Sequence, residues 1–297
     1  MSDLTNHILI AGYYGFNNTG DEAILSAMIH DLSLVIPALS ITVICGDPQQ
    51  TRQIHSVNAI AWTDIRGIKE AIQACDLVIL GGGGLFHDYW GVDTSSILTA
   101  AHMGIAFYYS ISLLGSIYKK PMMLYAVGVG PVISDEAKRY VRVIAENCAA
   151  ITVRDTDSKA ILVSLGLPAA RITITTDPAF GLLLPQKRMA KIDEQFQGFP
   201  IVGVALRNWD VGVDPKYWEA QVASALDAFL DTYSTGLVVF IPFQDVQETL
   251  LDDTGISRRV RKTMKNSSRT KIIPRNSSFL DREFAISKCD LVLGMRL

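Results

Sequence analysis

The chain has 297 residues, which exceeds the usual size of one domain, so we expect two domains. Its composition, 49% hydrophobic and 19% charged, is typical of a folded globular protein and excludes an intrinsically disordered chain. A formal net charge of -3 argues against a nucleic-acid-binding surface, because such surfaces normally carry a strong positive excess.

In the first half of the chain, strand-like apolar runs alternate with helical patterns. The predicted strands are Ile8–Ala11, Ile41–Cys45, Asp76–Leu80, Met122–Val127, Ala150–Val153 and Ile172–Thr175. The predicted helices are Asp21–Leu34, Ile65–Cys75, Asp135–Cys148 and Asp157–Leu165. Because the strands are short, unbroken apolar runs, the pattern predicts a parallel sheet with helices on both faces.

One segment of this half, Thr94–Tyr118, contains no Asp, Glu, Lys or Arg and is long enough to span a bilayer. Small and polar residues such as Ser95, Gly104 and Ser110 dilute it. They favour a buried or interface helix over a helix on the membrane surface or a true span.

The second half repeats the alternation after a polar stretch, Gly181–Pro200, which contains Pro185, Gly198 and Pro200. We therefore predict a first lobe over 1–183, a linker over 184–200 and a second lobe over 201–297. The second lobe has predicted strands Ile201–Leu206, Leu237–Phe243, Thr270–Ile273 and Cys289–Met295, and predicted helices Lys216–Tyr233 and Thr249–Lys265. Since a buried parallel strand normally feeds a crossover helix, we expect this lobe to be truncated at Leu297.

The polar N-terminus, Met1–Asn6, leads straight into a strand, so we expect no secretory signal. The four cysteines lie in or beside apolar runs and form no CxxC pair, which predicts buried free thiols rather than a zinc site or disulfides. Both features predict a reducing, cytoplasmic location.

The loop between the first strand and the first helix carries glycines and small polar residues. Glycine lets a backbone approach a ligand closely, and the following helix offers free N–H groups to an anion. The G-x-G-x-x-G spacing of dinucleotide-binding loops and the P-loop spacing are both absent, so the loop sequence does not identify a particular ligand. A tight turn capped by Thr19 or Asp21 is the alternative. The ligand candidates are Gly12, Gly15, Asn17, Asn18 and Gly20, with Asp21 beside them.

Further glycines follow later strands at the same predicted edge of the sheet. Close approach to a ligand or dense strand–helix packing would each explain them. The candidates are Gly82, Gly83 and Gly84 after one strand and Gly128 and Gly130 after another. The residues His87 and Asp88 are either proton-transfer groups or ordinary surface side chains.

Arginines also close several strands, and a guanidinium group suits phosphate or carboxylate. Arg154 ends a strand of the first lobe, and either binds an anion or pairs with Asp155 or Asp157. Asp177 could orient Arg154, bind a sugar hydroxyl or make a turn. Arg207 and Arg296 end strands of the second lobe, so cations from both lobes predict a site for a compact polyanion.

Seven motifs occur in one order along nearly the whole chain: GYYGFNNTGDEAIL, DLVILGGGGLFHD, YAVGVGP, TVRDTDS, DPAF, PFQD and GMRL. Each is weak alone, but the ordered set resembles the polysaccharide pyruvyl transferase family, specifically its CsaB type. The resemblance implies an α/β fold of two Rossmann-like lobes with parallel sheets facing a cleft, similar to the GT-B architecture.

The resemblance also implies a reaction. Phosphoenolpyruvate is the expected donor, with no cofactor, and the acceptor is a cell-wall or capsular sugar. A lipid-linked acceptor containing N-acetylmannosamine is expected, which implies peripheral contact with the inner face of the membrane. The product is a pyruvyl ketal, used in CsaB-type proteins to anchor S-layer proteins.

Residue by residue, the resemblance implies that Arg154 of the VRD motif binds the donor, together with Arg296 and Leu297 of the RLH motif. The His that follows in that motif is absent after Leu297, so we expect reduced or no activity. Asp21, His87 and Asp88 are the remaining candidates for acid–base catalysis, and no metal site is expected.

Two other functions are compatible with this pattern. A GT-B nucleotide-sugar glycosyltransferase would need an acidic residue after a glycine loop in the second lobe to bind ribose hydroxyls, and none is evident. A non-catalytic binding module is the other alternative, and phosphate release would distinguish it from a transferase.

Overall fold

The computed structural model describes residues 6–182, 199–244, 246 and 251–295. Contacts within the chain divide it into two compact units. The first comprises Met1–Phe16 and Asp21–Leu182, and the second comprises Asn17–Gly20 and Leu183–Leu297. Most of the predicted linker over 184–200 lies outside the described residues, so the predicted lobe boundaries stay predictions.

The first unit contains a parallel sheet. Its strands are β1 (Asn6–Ala11), β2 (Leu39–Cys45), β3 (Asn58–Ala61), β4 (Leu77–Gly81), β5 (Gly84–Phe86), β6 (Met122–Val129), β7 (Ala150–Val153) and β8 (Ile172–Ile174). The strand order is β3-β2-β1-β4-β6-β7-β8, and β5 pairs with β6 beside this path. The order reverses between β1 and β4, which is where open parallel sheets bind ligands, outside the carboxyl ends of the strands.

Helices connect these strands and cover both faces of the sheet. They are α1 (Thr19–Val35), α2 (Pro48–His55), α3 (Ile65–Ala74), α4 (Gly104–Ile117), α5 (Asp135–Asn147) and α6 (Thr156–Ser164). Alternate residues of β1 enter different hydrophobic clusters, Leu9 with α3, α4 and α5, and Ile10 with α1. The prediction of a parallel sheet buried on both faces is therefore confirmed for this unit.

Helix α4 accounts for much of the uncharged segment Thr94–Tyr118. Ile105, Phe107, Tyr108 and Ile111 are buried in the cluster that also includes α3 and α5. The prediction of a buried helix is confirmed. Among the described residues, no helix has both the length and the apolarity needed to cross a bilayer.

The second unit also contains a parallel sheet. Its elements are β9 (Ile201–Ala205), α7 (Pro215–Thr232), β10 (Leu237–Phe240), α8 (Asp253–Thr263), β11 (Thr270–Ile272), α9 (Phe279–Ser287) and β12 (Leu291–Gly294). The strand order is β11-β10-β9-β12, so the reversal lies between β9 and β12. Leu226 and Leu230 of α7 and Ile256 and Val260 of α8 pack on one face of this sheet.

Some elements differ from the prediction for identifiable reasons. Helix α2 is polar, with Thr51 as its buried residue, so it lacks an apolar period; its N-cap Asp47 and a proline in the first turn define its start. Helix α9 was also missed, although the Ser278–Asp281 capping box marks its N-terminus. Helix α8 begins at Asp253, and the predicted start at Thr249 lies outside the described residues.

Candidate functional site

Parallel strands bring their carboxyl ends to one edge of a sheet, and most predicted site residues follow such ends. In the first unit, Gly12 follows β1, Gly82 and Gly83 follow β4, and Arg154 follows β7. The reversal of strand order between β1 and β4 places the first two of these loops at the expected ligand-binding position.

The first part of the loop after β1 is fixed by internal contacts. Tyr14 is fully buried, and its hydroxyl donates to the carbonyl of Gly81. Its own carbonyl accepts from the N–H of Gly46 at 2.8 Å. A Cβ on Gly12 would collide with the Tyr14 ring and the Gly81 carbonyl. The close packing of Tyr14 and Gly81 around this position therefore requires a glycine at position 12.

A buried acid–imidazole pair, which the sequence analysis missed, supports this loop from α1. One Glu22 carboxylate oxygen accepts from the N–H of Gly15 at 2.7 Å, and the other lies 2.7 Å from Nε2 of His55. The two side chains are 7% and 2% exposed, respectively. An acidic residue in the first helical turn after a glycine loop could have indicated this pair in the sequence. Its partner, His55, lies on α2, a helix that the sequence analysis also missed.

Asp21 lies in the first turn of α1 and packs against the glycine turn after β4. A Cβ on Gly83 would lie 2.6 Å from Oδ1 of Asp21, and Gly83 has φ +66°. Burial raises the pKa of Tyr14 and Tyr108, and the nearby charge of Asp21 raises both further. The Asp21 carboxylate therefore lies close to two phenols that stay protonated.

Gly82 is also fixed by neighbouring side chains. Its φ is +79°, and a Cβ there would lie 2.6 Å from the Tyr14 hydroxyl and would collide with Ile24. Gly130 has φ +117° and packs against Ile161. Dense packing against neighbouring side chains therefore explains the glycines at positions 82 and 130. Gly84, in contrast, is exposed.

Arg154 lies at the carboxyl end of β7 and is held in one orientation. Its Nη1 donates to Oδ2 of Asp177 at 3.0 Å, and its Nε lies 3.8 Å from Oδ2 of Asp155. This is the orienting role that was one prediction for Asp177. The Arg154 side chain is 22% exposed, so it is accessible from solvent.

The guanidinium group of Arg154 occupies the space that a side chain on Gly128 would fill. A Cβ on Gly128 would lie 2.9 Å from Nε and 3.0 Å from Nη2, and a Cβ on Gly84 would lie 3.8 Å from Nη2. Within the described part of the chain, Nη2 makes no hydrogen bond. The structure thus presents a charged donor beside the exposed Gly84, in a form suited to an anion.

Asp88 has structural partners. It is 5% exposed, and its two carboxylate oxygens accept at 2.7 Å from the N–H groups of Ile133 and Ser134. Burial raises the pKa of Asp88, but the hydrogen bonds from Ser134 and Ile133 outweigh it, so the pKa lies below its ordinary value. These bonds anchor the chain at Ser134, the N-cap of α5. The catalytic role of Asp88 stays a prediction, and so does that of the half-buried His87.

In the second unit, cationic side chains lie near the carboxyl ends of the strands. The guanidinium carbon of Arg207, just after β9, lies 5.0 Å from the centre of the Trp209 ring. Two arginines that the sequence analysis missed follow β11 in the chain, Arg275 in the loop after the strand and Arg282 within α9. Arg275 pairs with Asp252 at 2.7 Å, and Arg282, 5% exposed, donates to the Arg275 carbonyl at 3.1 Å.

The segment Asn17–Gly20 makes contacts within the second unit. The N–H of Thr19 donates to the carbonyl of Phe243 at 2.8 Å, and the Thr19 hydroxyl accepts from Nη1 of Arg282 at 3.3 Å. Asn17 has φ +56°, and Oδ1 of Asn18 accepts from the N–H of Gly20 at 3.1 Å.

Some predicted features are not tested by the structure. Arg296 and Leu297 lie outside the described residues, so their donor-binding role stays a prediction. Among the residues that the structure describes, no three His, Cys, Asp or Glu side chains are grouped so that they could hold a metal ion.

The model of the polysaccharide pyruvyl transferase family matches residues 18–297. No curated protein sequence matches the chain.

Solved structures of UDP-GlcNAc 2-epimerases have a similar fold. The enzyme from Methanocaldococcus jannaschii has a TM-score of 0.64 and 10% identity, over 98% of this chain and 78% of that chain. The enzyme from Neisseria meningitidis bound to UDP-GlcNAc has a TM-score of 0.59 and 10% identity, over 97% of this chain and 77% of that chain. These similarities confirm the predicted α/β, GT-B-like fold class.

Proposed function

The chain belongs to the polysaccharide pyruvyl transferase family, and we propose that it transfers the pyruvyl group of phosphoenolpyruvate to a polysaccharide sugar. Family membership makes it a transferase of polysaccharide biosynthesis. The proposal adds the donor, the ketal product and the release of inorganic phosphate.

The observation that carries this proposal is the orientation of Arg154. Asp177 fixes Nη1, Gly128 leaves room for the guanidinium face, and Nη2 lies on the side of the exposed Gly84. A planar, permanently charged donor at the carboxyl edge of a sheet suits the phosphate or carboxylate of phosphoenolpyruvate. A donor with several negative charges presents more charged acceptor oxygens to this guanidinium than a singly charged anion does.

The reaction requires proton transfers, and in this proposal Asp21 assists them. The methylene carbon of phosphoenolpyruvate gains a proton, and one sugar hydroxyl oxygen bonds to the carbon that carries the phosphate. The phosphate group leaves as a second hydroxyl oxygen bonds to the same carbon. Of the two protons lost by the hydroxyls, one balances the proton given to the methylene carbon and the other leaves with phosphate.

Within this scheme, Asp21 acts as the base that accepts a hydroxyl proton. Its position in the first turn of α1 and beside Gly83 supports this role. Because Tyr14 and Tyr108 stay protonated, they add no negative charge beside the Asp21 carboxylate. General acid–base assistance of this kind contributes about 10²–10⁴ in rate.

The finer features of the resemblance belong to the same proposal. They are the CsaB type, a lipid-linked acceptor with N-acetylmannosamine, and action at the inner face of the membrane with S-layer anchoring as the outcome. The UDP-GlcNAc bound to the Neisseria meningitidis enzyme gives no preference for a nucleotide-sugar donor here, because likeness at 10% identity concerns the fold alone.

The test is a product assay with phosphoenolpyruvate and a panel of soluble acceptor glycosides. We expect inorganic phosphate and an acceptor heavier by one pyruvyl ketal, both dependent on the protein. UDP-N-acetylglucosamine offered as the donor should give no transfer. Glycosyl transfer from the nucleotide sugar, without ketal formation from phosphoenolpyruvate, would overturn the proposal.

A further inference from the structure

Three aromatic rings lie together directly after β5. The ring centres of His87 and Tyr89 are 5.1 Å apart, those of His87 and Trp90 are 5.8 Å apart, and those of Tyr89 and Trp90 are 5.8 Å apart. Trp90 is 65% exposed and Tyr89 is 39% exposed, while His87 is half-buried. We call these three residues the aromatic cluster.

The backbone that carries the aromatic cluster is firmly anchored. Phe86, fully buried, packs edge-on against Tyr108 with ring centres 5.7 Å apart. The Asp88 carboxylate accepts hydrogen bonds from the N–H groups of Ile133 and Ser134. The backbone N–H of Asp88 donates to the Pro131 carbonyl at 3.1 Å. The buried residues Phe86 and Asp88 flank His87, and Asp88 directly precedes Tyr89 and Trp90, so buried neighbours hold the exposed rings at the surface.

The aromatic cluster follows the strand that begins beside Arg154. Gly84 is the first residue of β5, and a Cβ there would lie 3.8 Å from Nη2 of Arg154. At about 3.3 Å per extended residue, the six steps from Gly84 place Trp90 at most about 20 Å from Gly84. A glycan of a few sugar units spans such a distance.

We propose that the aromatic cluster is a stacking subsite for a sugar ring of the acceptor glycan; this rests on the proposed function. The faces of aromatic rings carry partial negative charge, which attracts the C–H groups on the apolar face of a pyranose. The indole N–H, the phenol and the imidazole place polar groups at the ring edges, where sugar hydroxyls lie. A carbohydrate combines an apolar C–H face with hydroxyl groups at its edge, so it matches both the ring faces and the polar ring edges of the cluster.

The proposal assigns His87 to acceptor binding instead of proton transfer. In this proposal the buried Asp88 has a structural role, because its carboxylate fixes the backbone between His87 and Tyr89. The cluster is a binding element and takes no part in bond formation.

The test is saturation-transfer NMR with methyl glycosides of N-acetylmannosamine, N-acetylglucosamine, mannose, glucose and galactose. We expect the wild-type protein to transfer saturation to the C–H groups of at least one glycoside. Trp90→Ala should weaken this binding about tenfold, and Trp90→Phe should retain most of it. Tyr217→Ala is the matched control, because Tyr217 is 64% exposed and lies in the second unit.

Stabilisation of the same variants by phosphoenolpyruvate separates the two proposals. If glycoside binding depends on Trp90 but phosphoenolpyruvate does not bind, the stacking subsite stands and the donor assignment fails. If phosphoenolpyruvate binds but the Trp90→Ala variant holds glycosides as tightly as the wild type, the subsite is wrong. Absence of glycoside binding to the wild type would also overturn it, and thermal unfolding of Trp90→Phe checks that the fold is retained.

Discussion

A single glycine controls where the guanidinium group of Arg154 can lie. The Cβ of an alanine at position 128 would come within 2.9 Å of Nε and 3.1 Å of Cζ of Arg154. The guanidinium is the far end of a flexible side chain, so it can move away at little cost in stability. Moving it also removes the donor from its position beside Gly84.

We therefore expect Gly128→Ala to weaken phosphoenolpyruvate binding about tenfold, which corresponds to about 1.4 kcal/mol, with little change in the midpoint of thermal unfolding. Isothermal titration calorimetry measures the affinity. Gly181→Ala is the control, because a Cβ at Gly181 contacts nothing within 4 Å. Unchanged affinity in Gly128→Ala would show that the position of the guanidinium does not matter for donor binding.

Asp21 gives a second prediction at this scale. In Asp21→Asn the amide cannot accept the hydroxyl proton, so we expect kcat to fall about 10²-fold or more. The affinity for phosphoenolpyruvate should change much less, since the proposed donor contact is Arg154. Steady-state kinetics compare this variant with Asp135→Asn, whose side chain is 88% exposed. A rise in the donor KM at constant kcat would instead place Asp21 in donor binding.

At the scale of elements, the carboxylate of Asp88 ties the end of β5 to the start of α5. Asp88→Ala would leave the N–H groups of Ile133 and Ser134 without this acceptor. Since hydrogen bonds to a charged group contribute about 1.5–3 kcal/mol each, we expect the free energy of unfolding to fall by about 3 kcal/mol. Urea denaturation measures it, and Asp157→Ala, an exposed position, should change it by less than about 0.5 kcal/mol.

The same carboxylate predicts a dependence of stability on pH. The pKa of Asp88 is lower in the folded state than its ordinary value, so its contribution is complete above the ordinary value. That contribution is lost as the pH falls through the folded-state pKa. The stability of Asp88→Ala should therefore decline less steeply in acid than that of the wild type. Parallel acid profiles would contradict the ionised, hydrogen-bonded state of Asp88.

The strands that the sequence predicted well are those that carry apolar side chains on both faces of the sheet. Ile8–Ala11 was found because an unbroken apolar run reports burial on two faces. β3 and α2 were missed because they are half-buried or polar and depend on neighbours that the local pattern does not reveal. The short β5 was taken as part of a glycine loop, and its pairing with β6 is a tertiary contact.

Glycine positions in the candidate site were predictable, but what lies against them was not. The sequence favoured a ligand beside Gly83 and Gly128, and the structure places Asp21 and Arg154 there. A glycine that makes room for a ligand and one that makes room for a distant side chain look alike in sequence. The consequence is that these glycines position the predicted site residues and need not touch the substrate.

At the scale of the whole molecule, each unit is a parallel sheet whose strand order reverses once. In the first unit, the reversal brings the loop after β1 and the turn after β4 together. Arg154 and Asp177 lie at the carboxyl ends of β7 and β8 on the same edge. This topology explains how residues far apart in sequence form one candidate site. The family match over residues 18–297 is consistent with a function that uses both units.

Calorimetric titration of phosphoenolpyruvate into the wild type, Arg154→Ala and the control Arg139→Ala, whose side chain is 68% exposed, measures donor binding by Arg154. We expect saturable binding to the wild type and to Arg139→Ala. Arg154→Ala should lose about 1.5–3 kcal/mol of binding free energy per charged hydrogen bond removed, while its unfolding midpoint stays close to that of the wild type. Equal affinity in Arg154→Ala and the wild type, with both proteins folded, would show that this arginine does not bind the anionic donor.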